Sequence, residues 1–217
     1  MESRTFVEEL EAFVRARLAQ WGEVMALGED VARGADVPQL LRLALANEIS
    51  VSELAAIWMP STTAWDIKIA LAEQAGDEAR HFRLVSDRLA ALGFPLDDFT
   101  LPDENPLFAY LKSLSSPVER IAAGQFALEL LAYQVNETFM RYCQELGDQE
   151  TAELYRRVIQ PEELRHYRRG KQLLITHATT REAQRAAQEA ATRTIELAAT
   201  VRQRAAEELG TSCFPGC

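Results

Sequence analysis

One pentapeptide, written twice, limits this chain more than any other feature. Asp77-Glu78-Ala79-Arg80-His81 and Glu162-Glu163-Leu164-Arg165-His166 both read acid, Glu, any residue, Arg, His. Together they hold two of the three histidines in 217 residues. Both lie in long stretches whose apolar residues recur every three or four positions, the period of an α-helix. Residues three apart in a helix stand one turn above each other on one face, so each Glu–His pair can grip one metal ion. Two such pairs demand partner helices that bring further ligands.

Those partners are legible. A helix expected from Asp36 to about Met59, stopped by Pro60, carries the stripe Leu41, Ala44, Glu48, Val51, Ala55. Another, about 116 to 146, carries Val118, Ala122, Phe126, Glu129, Tyr133 and Met140. The pentapeptide helices, about 64 to 92 and 149 to 176, carry Ile67, Leu71, Gln74, Glu78, His81, Val85 and Ala152, Tyr155, Ile159, Glu163, His166. Four apolar faces thus each hold a carboxylate: Glu48, Glu78, Glu129 and Glu163. Burying an ionised carboxylate without a partner costs several kcal/mol or more, so four in one core require cations between them. Two divalent ions and two neutral imidazoles balance four carboxylates in charge. Oxygen donors with one imidazole per metal suit iron or manganese, as Fe/Fe, Mn/Fe or Mn/Mn, better than an ion that prefers thiolate.

The order repeats as well. A lone Glu precedes a Glu-x-x-His by 30 residues in the first half and 34 in the second. Two antiparallel helices joined by a short turn bring residues so spaced to one height, so each half reads as a helical hairpin. Residues 93 to 106, with Gly93, Pro95, Pro102 and Pro106, read as the crossover between halves, followed by a short helix at about 107 to 114. Ser61 to Thr63 are the expected caps of the helix at about 64 to 92, and Pro161 should kink the one at about 149 to 176 just before Glu163. Glu137 competes with Glu129, but it lies beside polar Asn136 and one turn before Arg141, which favours a solvated position. Metal-bound imidazoles commonly give their second N–H to a carboxylate. Asp77 and Glu162 are placed for that, toward the His of the other half, with Arg80 and Arg165 pairing them. Ordinary surface ion pairs are the plainer alternative for these four.

The rest is scaffold. A first helix from Ser3 or Thr5 to about Leu27 presents Val7, Leu10, Val14, Leu18, Trp21 and Met25, with Gly28 and Gly34-Ala35 at its break. A last helix, about 180 to 209, has a thin stripe of Ala187, Ala191, Thr194, Ala198, Val201 and Ala205, suited to a finished bundle or a second subunit. No stretch reads as a β-hairpin, so the class is all-α. The chain is one domain, 1–217, with a metal-binding core at about 36–176 and extra helices at about 5–27 and 180–209. A net charge of −10 without a dense Lys/Arg cluster argues against nucleic acid or an anionic membrane as partner. No stretch nears eighteen apolar residues, and the start shows no signal peptide. Three cysteines (Cys143 and the pair Cys213 and Cys217) are no disulfide framework, which points to the cytoplasm.

These residues resemble the ferritin-like di-iron carboxylate superfamily, with its two Glu-x-x-His motifs and two further carboxylates. Asp-Glu-x-Arg-His is closest to the oxygen-activating branch of bacterial multicomponent monooxygenases and the small subunit of ribonucleotide reductase. The chain departs from that branch in being far shorter than a monooxygenase catalytic subunit and in having Glu162 where Asp is usual. The resemblance implies a ferritin-like four-helix bundle with additional N- and C-terminal helices. It implies Glu48, Glu78 and His81 on one iron, Glu129, Glu163 and His166 on the other, and Glu78 and Glu163 as candidate bridges. An O2-dependent oxidase or oxygenase of a small organic substrate follows, with O2 as co-substrate and a reductase or ferredoxin as electron donor. Iron oxidation and storage, or a metal that only staples the helices, are the rival readings. A homodimer is expected. Tyr133, one turn beyond Glu129, is either a hydrogen-bond donor or radical site, or a core residue. His177 is expected to cap or sit at the surface, and Cys143 to be a core or edge thiol. Ala44, Ser52, Ala122 and Gly124 are small residues that could shape the pocket.

Overall fold

The computed structural model describes residues 1–22, 35–209 and 215–216. Met25, Leu27, Gly28, Gly34, Cys213 and Cys217 lie outside them, as does the side chain of Trp21. Among the described residues there are seven helices and no strand. They are α1 (Ser3–Gly22), α2 (Val37–Ser61), α3 (Trp65–Ala91), α4 (Pro106–Ser113), α5 (117–145), α6 (149–177) and α7 (Arg181–Leu209). No described helix is long and apolar enough to cross a membrane.

Local chemistry accounts for the helix starts. At α2 the Asp36 carboxylate accepts the Gln39 N–H at 2.8 Å and the Gln39 side chain accepts the Asp36 N–H at 3.1 Å, a reciprocal cap. Asn105 accepts from the N–H groups of Leu107 and Phe108, both at 3.0 Å, and starts α4. Two expectations fail here. Pro60 does not stop α2, which continues to Ser61, because a proline in the last turn removes only one intrahelical bond. Nor do Ser61 to Thr63 cap α3: its first turn follows Ala64, which has no side-chain cap. The Thr62 hydroxyl instead donates backwards to the Trp58 carbonyl at 2.8 Å, satisfying the end of α2 rather than the start of α3. α3 then ends at Ala91, two residues before Gly93, whose φ of +92° only glycine adopts readily.

α5 and α6 are each interrupted by a π-helical stretch, Ala122–Leu128 and Tyr155–Ile159. In the second, the Gln160 N–H reaches five residues back to Tyr155, immediately before Pro161. A proline cannot donate to the preceding turn, and the wider turn is where the missing bond falls. Sequence reading attached a kink to Pro161 and found neither π stretch.

α2 and α3 pair along their lengths, α5 pairs with α6, and α3 meets α6 between the two hairpins. α7 lies on α5 and α1. Its small residues Ala187, Ala191, Thr194 and Ala198 are all buried, so its stripe is covered by the chain's own bundle. At Gly170 of α6 a Cβ would stand 2.7 Å from the backbone of Gln125, so the crossing of α6 over the π stretch of α5 requires glycine. The buried apolar residues form one contiguous core drawn from all seven helices.

Candidate metal centre

The six predicted ligands converge at the middle of this core. Glu48 comes from α2, Glu78 and His81 from α3, Glu129 from α5, and Glu163 and His166 from α6. The four carboxylates and His81 are 0% exposed and His166 is 3% exposed. The groups form two overlapping sets, Glu48–Glu78–His81–Glu163 and Glu78–Glu129–Glu163–His166. Within each set one donor atom from every residue lies within 4.8 Å of the others. Glu78 and Glu163 belong to both. His81 Nδ1 stands 3.2 Å from Glu48 Oε2, 3.1 Å from Glu78 Oε2 and 3.5 Å from Glu163 Oε1. His166 Nδ1 stands 3.2 Å from Glu78 Oε1 and 3.6 Å from Glu129 Oε1. Such a cluster can hold metal ions.

Both imidazoles turn the same nitrogen inward, and the outer nitrogens explain why. His81 Nε2 is 2.9 Å from Glu162 Oε2, and His166 Nε2 is 3.0 Å from Asp77 Oδ2. Arg80 donates to Glu162, and Arg165 donates to Asp77 at 2.7 Å. The acid of each pentapeptide thus serves the histidine of the other hairpin, and the arginine beside each histidine holds the acid in place. An imidazole giving its Nε2–H to that acid presents a bare Nδ1 to the interior, the tautomer a metal requires. Gln74, which the sequence shows only as a polar break in an apolar stripe, donates its amide to Glu129.

The electrostatics test the fit. Burial, with Glu78 also adding repulsion, outweighs the attraction of His81 and pushes Glu48 up to about 8. Burial, Glu129 and Glu78 drive Glu163 well above the carboxylate range. Glu78 resists burial because His166 and His81 stabilise its charge, and it stays low. Burial would lower His81, but Glu48 and Glu78 raise it to about 12, and His166 is likewise held well above its usual value. The raised groups mark a core short of positive charge. Donors that gather protons in this way fit divalent cations: oxygen-rich, one imidazole for each set, with outer partners already satisfied.

Several other side chains stand apart from the cluster. Tyr133 is half-buried at the side of α5, not in the core. Glu137 is exposed and accepts from Gln160 at 2.7 Å. His177 pairs with Asp66 at 2.8 Å at the end of α6. Cys143 is a fully buried thiol, pushed up to about 12 by burial. Ser52 donates to the Ala75 carbonyl at 2.8 Å, and Gly124 packs on the Trp58 ring. Of the buried polar residues, Asn136 was missed by sequence reading, whereas Tyr155 lies on the face its stripe predicts. Asn136 is 0% exposed, and its position seven residues after Glu129, two turns on the same face, was the available signal. Tyr155 is fully buried against Phe139, ring centroids 5.0 Å apart. Its hydroxyl has no hydrogen-bond partner among the described residues.

No curated protein and no solved structure matches the chain. Residues 54–207 match a family described as a protein of unknown function, DUF455. That stretch holds Glu78, His81, Glu129, Glu163 and His166, while Glu48 precedes it. The match spans well over half of the sequence, and the chain belongs to the DUF455 family.

Proposed function

We propose that the chain is an O2-activating di-metal oxidoreductase acting on a small organic molecule, with iron the metal its donors suit best. The observation that carries the reading is the sharing of Glu78 and Glu163 between two otherwise separate donor sets. Glu48 and His81 would hold one ion, Glu129 and His166 the other, and Glu78 and Glu163 would serve both. Bound there in the ferrous state, the pair supplies two electrons to O2 and the oxidising power for an unactivated bond.

The chain's own residues do the positioning. Glu162 and Asp77 hold the imidazole rings through Nε2, Arg80 and Arg165 hold those acids, and Gln74 orients Glu129. Phe126, Phe139, Trp58 and Tyr155 are all fully buried in the surrounding core and exclude water, which protects an oxidant from quenching. Insertion of one oxygen atom consumes two further electrons, so a reductase or ferredoxin is the proposed partner. The ferritin-like di-iron superfamily is the proposed relation, supported by motif order and donor set.

Metal analysis after anaerobic Fe(II) loading, followed by O2 exposure under stopped-flow absorbance, tests the reading. Wild type should bind about two irons per chain and show a transient visible band, both lost in Glu78→Ala and Glu163→Ala. Two bound irons without O2 consumption would mean that the metals only staple the helices. No bound iron in wild type would sink the ligand assignment.

A further inference from the structure

The carboxylate cluster has one edge that its own ligands do not complete. Glu48 turns Oε2 toward His81, while Oε1 is buried without a hydrogen-bond partner among the described residues. Against that free oxygen lies a piece of chain from the far end of the sequence. A Cβ on Gly216 would stand 2.9 Å from Glu48 Oε1 and 3.5 Å from the backbone of Ala44. Pro215 and Gly216 are both buried, and the Gly216 N–H donates to Asn136 Oδ1 at 2.8 Å. The other half of that carboxamide, Asn136 Nδ2, is buried with no partner among the described residues.

Asn136 and Glu48 therefore both face this segment, and the carboxamide of Asn136 is half used by its peptide group and half unused. A buried carboxamide with one idle donor is costly to keep for packing alone, and it is complementary to a second amide: N–H to Oδ1, carbonyl to Nδ2. A cleft between α2, α4, α5 and α7, bordered by Asn47, Asn105, Leu131 and Arg202, reaches Gly216. Its remaining cavity is about 30 Å³, room for roughly one water, so the segment fills the position it occupies. Gly216 has φ +92° and no side chain, the two properties that let backbone reach a carboxylate this closely.

We infer that the face made by Glu48, Asn136 and Ala44 is the ligand-binding position of the centre. It takes a small molecule with an amide N–H and carbonyl, and the Pro215–Gly216 peptide occupies it in this structure. The inference rests on the di-metal reading only in calling that ligand a substrate. An incoming ligand must displace the segment, so the free chain is held in a closed form.

The probe is acetyl-prolyl-glycinamide, titrated calorimetrically into wild type, Gly216→Val and a chain lacking 215–217, each with and without Asn136→Leu. Valine at 216 meets both the backbone strain and the Glu48 oxygen, so it expels the segment, and the deletion does so without placing a new side chain. Both opened variants should bind the probe at least about tenfold more tightly than wild type, and Asn136→Leu should abolish the gain. Hydrogen exchange at the Gly216 amide of wild type should be slowed at least roughly a hundredfold relative to the free peptide. Unprotected exchange at Gly216, equal affinity in wild type and opened variants, or a gain that survives Asn136→Leu would each overturn the inference. Iron content of the same samples separates the two proposals. Two irons per chain without a gain in probe affinity removes this one alone, and probe binding through Asn136 in a chain that takes up no iron removes the di-metal reading alone.

Discussion

The two helical hairpins carry the same motifs in the same order and are built differently. α2 and α3 contain no π turn, whereas α5 and α6 each widen into one shortly before their cluster Glu, ahead of Glu129 and of Glu163. Glu129 is tied down by Gln74, while Glu48 keeps an oxygen free against Gly216. The second hairpin is sheathed by α1 and α7; the first shows Ile57, Trp65 and Ile69 to solvent. A repeated motif therefore specifies a symmetric set of donors and nothing beyond it. The asymmetry comes from the residues that back each donor.

The largest test of this contrast is metal itself. Saturating anaerobic Fe(II), at about a thousand times its dissociation constant, should stabilise the fold by about 4 kcal/mol per site. Melting followed by circular dichroism should then shift upward by roughly 10 °C or more. Glu48→Ala and Glu129→Ala should each retain about one iron per chain, but Glu78→Ala should retain less. Equal losses in all three would erase the distinction between shared and unshared carboxylates.

Two glycines sharpen the contrast in packing. Gly170→Ala drives a methyl into the Gln125 backbone and should cost about 2–3 kcal/mol in urea unfolding. Gly76→Ala, on the exposed face of α3 with nothing within 4 Å of its Cβ, should stabilise by about 0.5–1 kcal/mol. Next, Gln74→Leu leaves Glu129 without its amide donor. It should weaken iron binding about tenfold at the Glu129–His166 set and leave the other set unchanged, as read by competitive chelator titration.

The smallest effect is a pH dependence at the joint between α1 and α6. Burial works against the charge of Glu11, but Lys171, Tyr167 and Arg15 lower its carboxyl from 4.5 to about 2. A carboxyl lowered by folding stabilises the native state at pH above its unfolded value, and that contribution fades as pH falls from 4.5 toward 2. Glu11→Gln should therefore cost about 1 kcal/mol at pH 7 and nothing near pH 2, measured by denaturant melts across that range.

Much of this centre was readable from the chain because burying charge is so costly. A carboxylate in the middle of an apolar stripe is conspicuous, and the 3.6 period says which residues share its face. The same period must be read closely. Tyr133, four residues after Glu129, reads as an inward residue and lies at the edge, whereas Asn136, seven after it and nearer the same face, reads as polar surface and lies in the core. Capping failed at Ser61–Thr63 for a related reason: the hydroxyls there had two helix ends to choose from, and a sequence does not say which is nearer.

By itself, then, the sequence determined the helices, the two hairpins, and the residue types facing the centre, because each follows from contacts within a few turns of one helix. The resemblance named Glu78 and Glu163 as candidate bridges, but only tertiary structure decided that both stand in the two donor sets, and that Gln74 holds Glu129. It also decided that Gly216 rests on Glu48. These relations join residues tens of positions apart, up to more than 160, and depend on how helices pack and slide against each other. Periodicity assigns a face to every side chain, but it is silent on which side chain from another helix meets it.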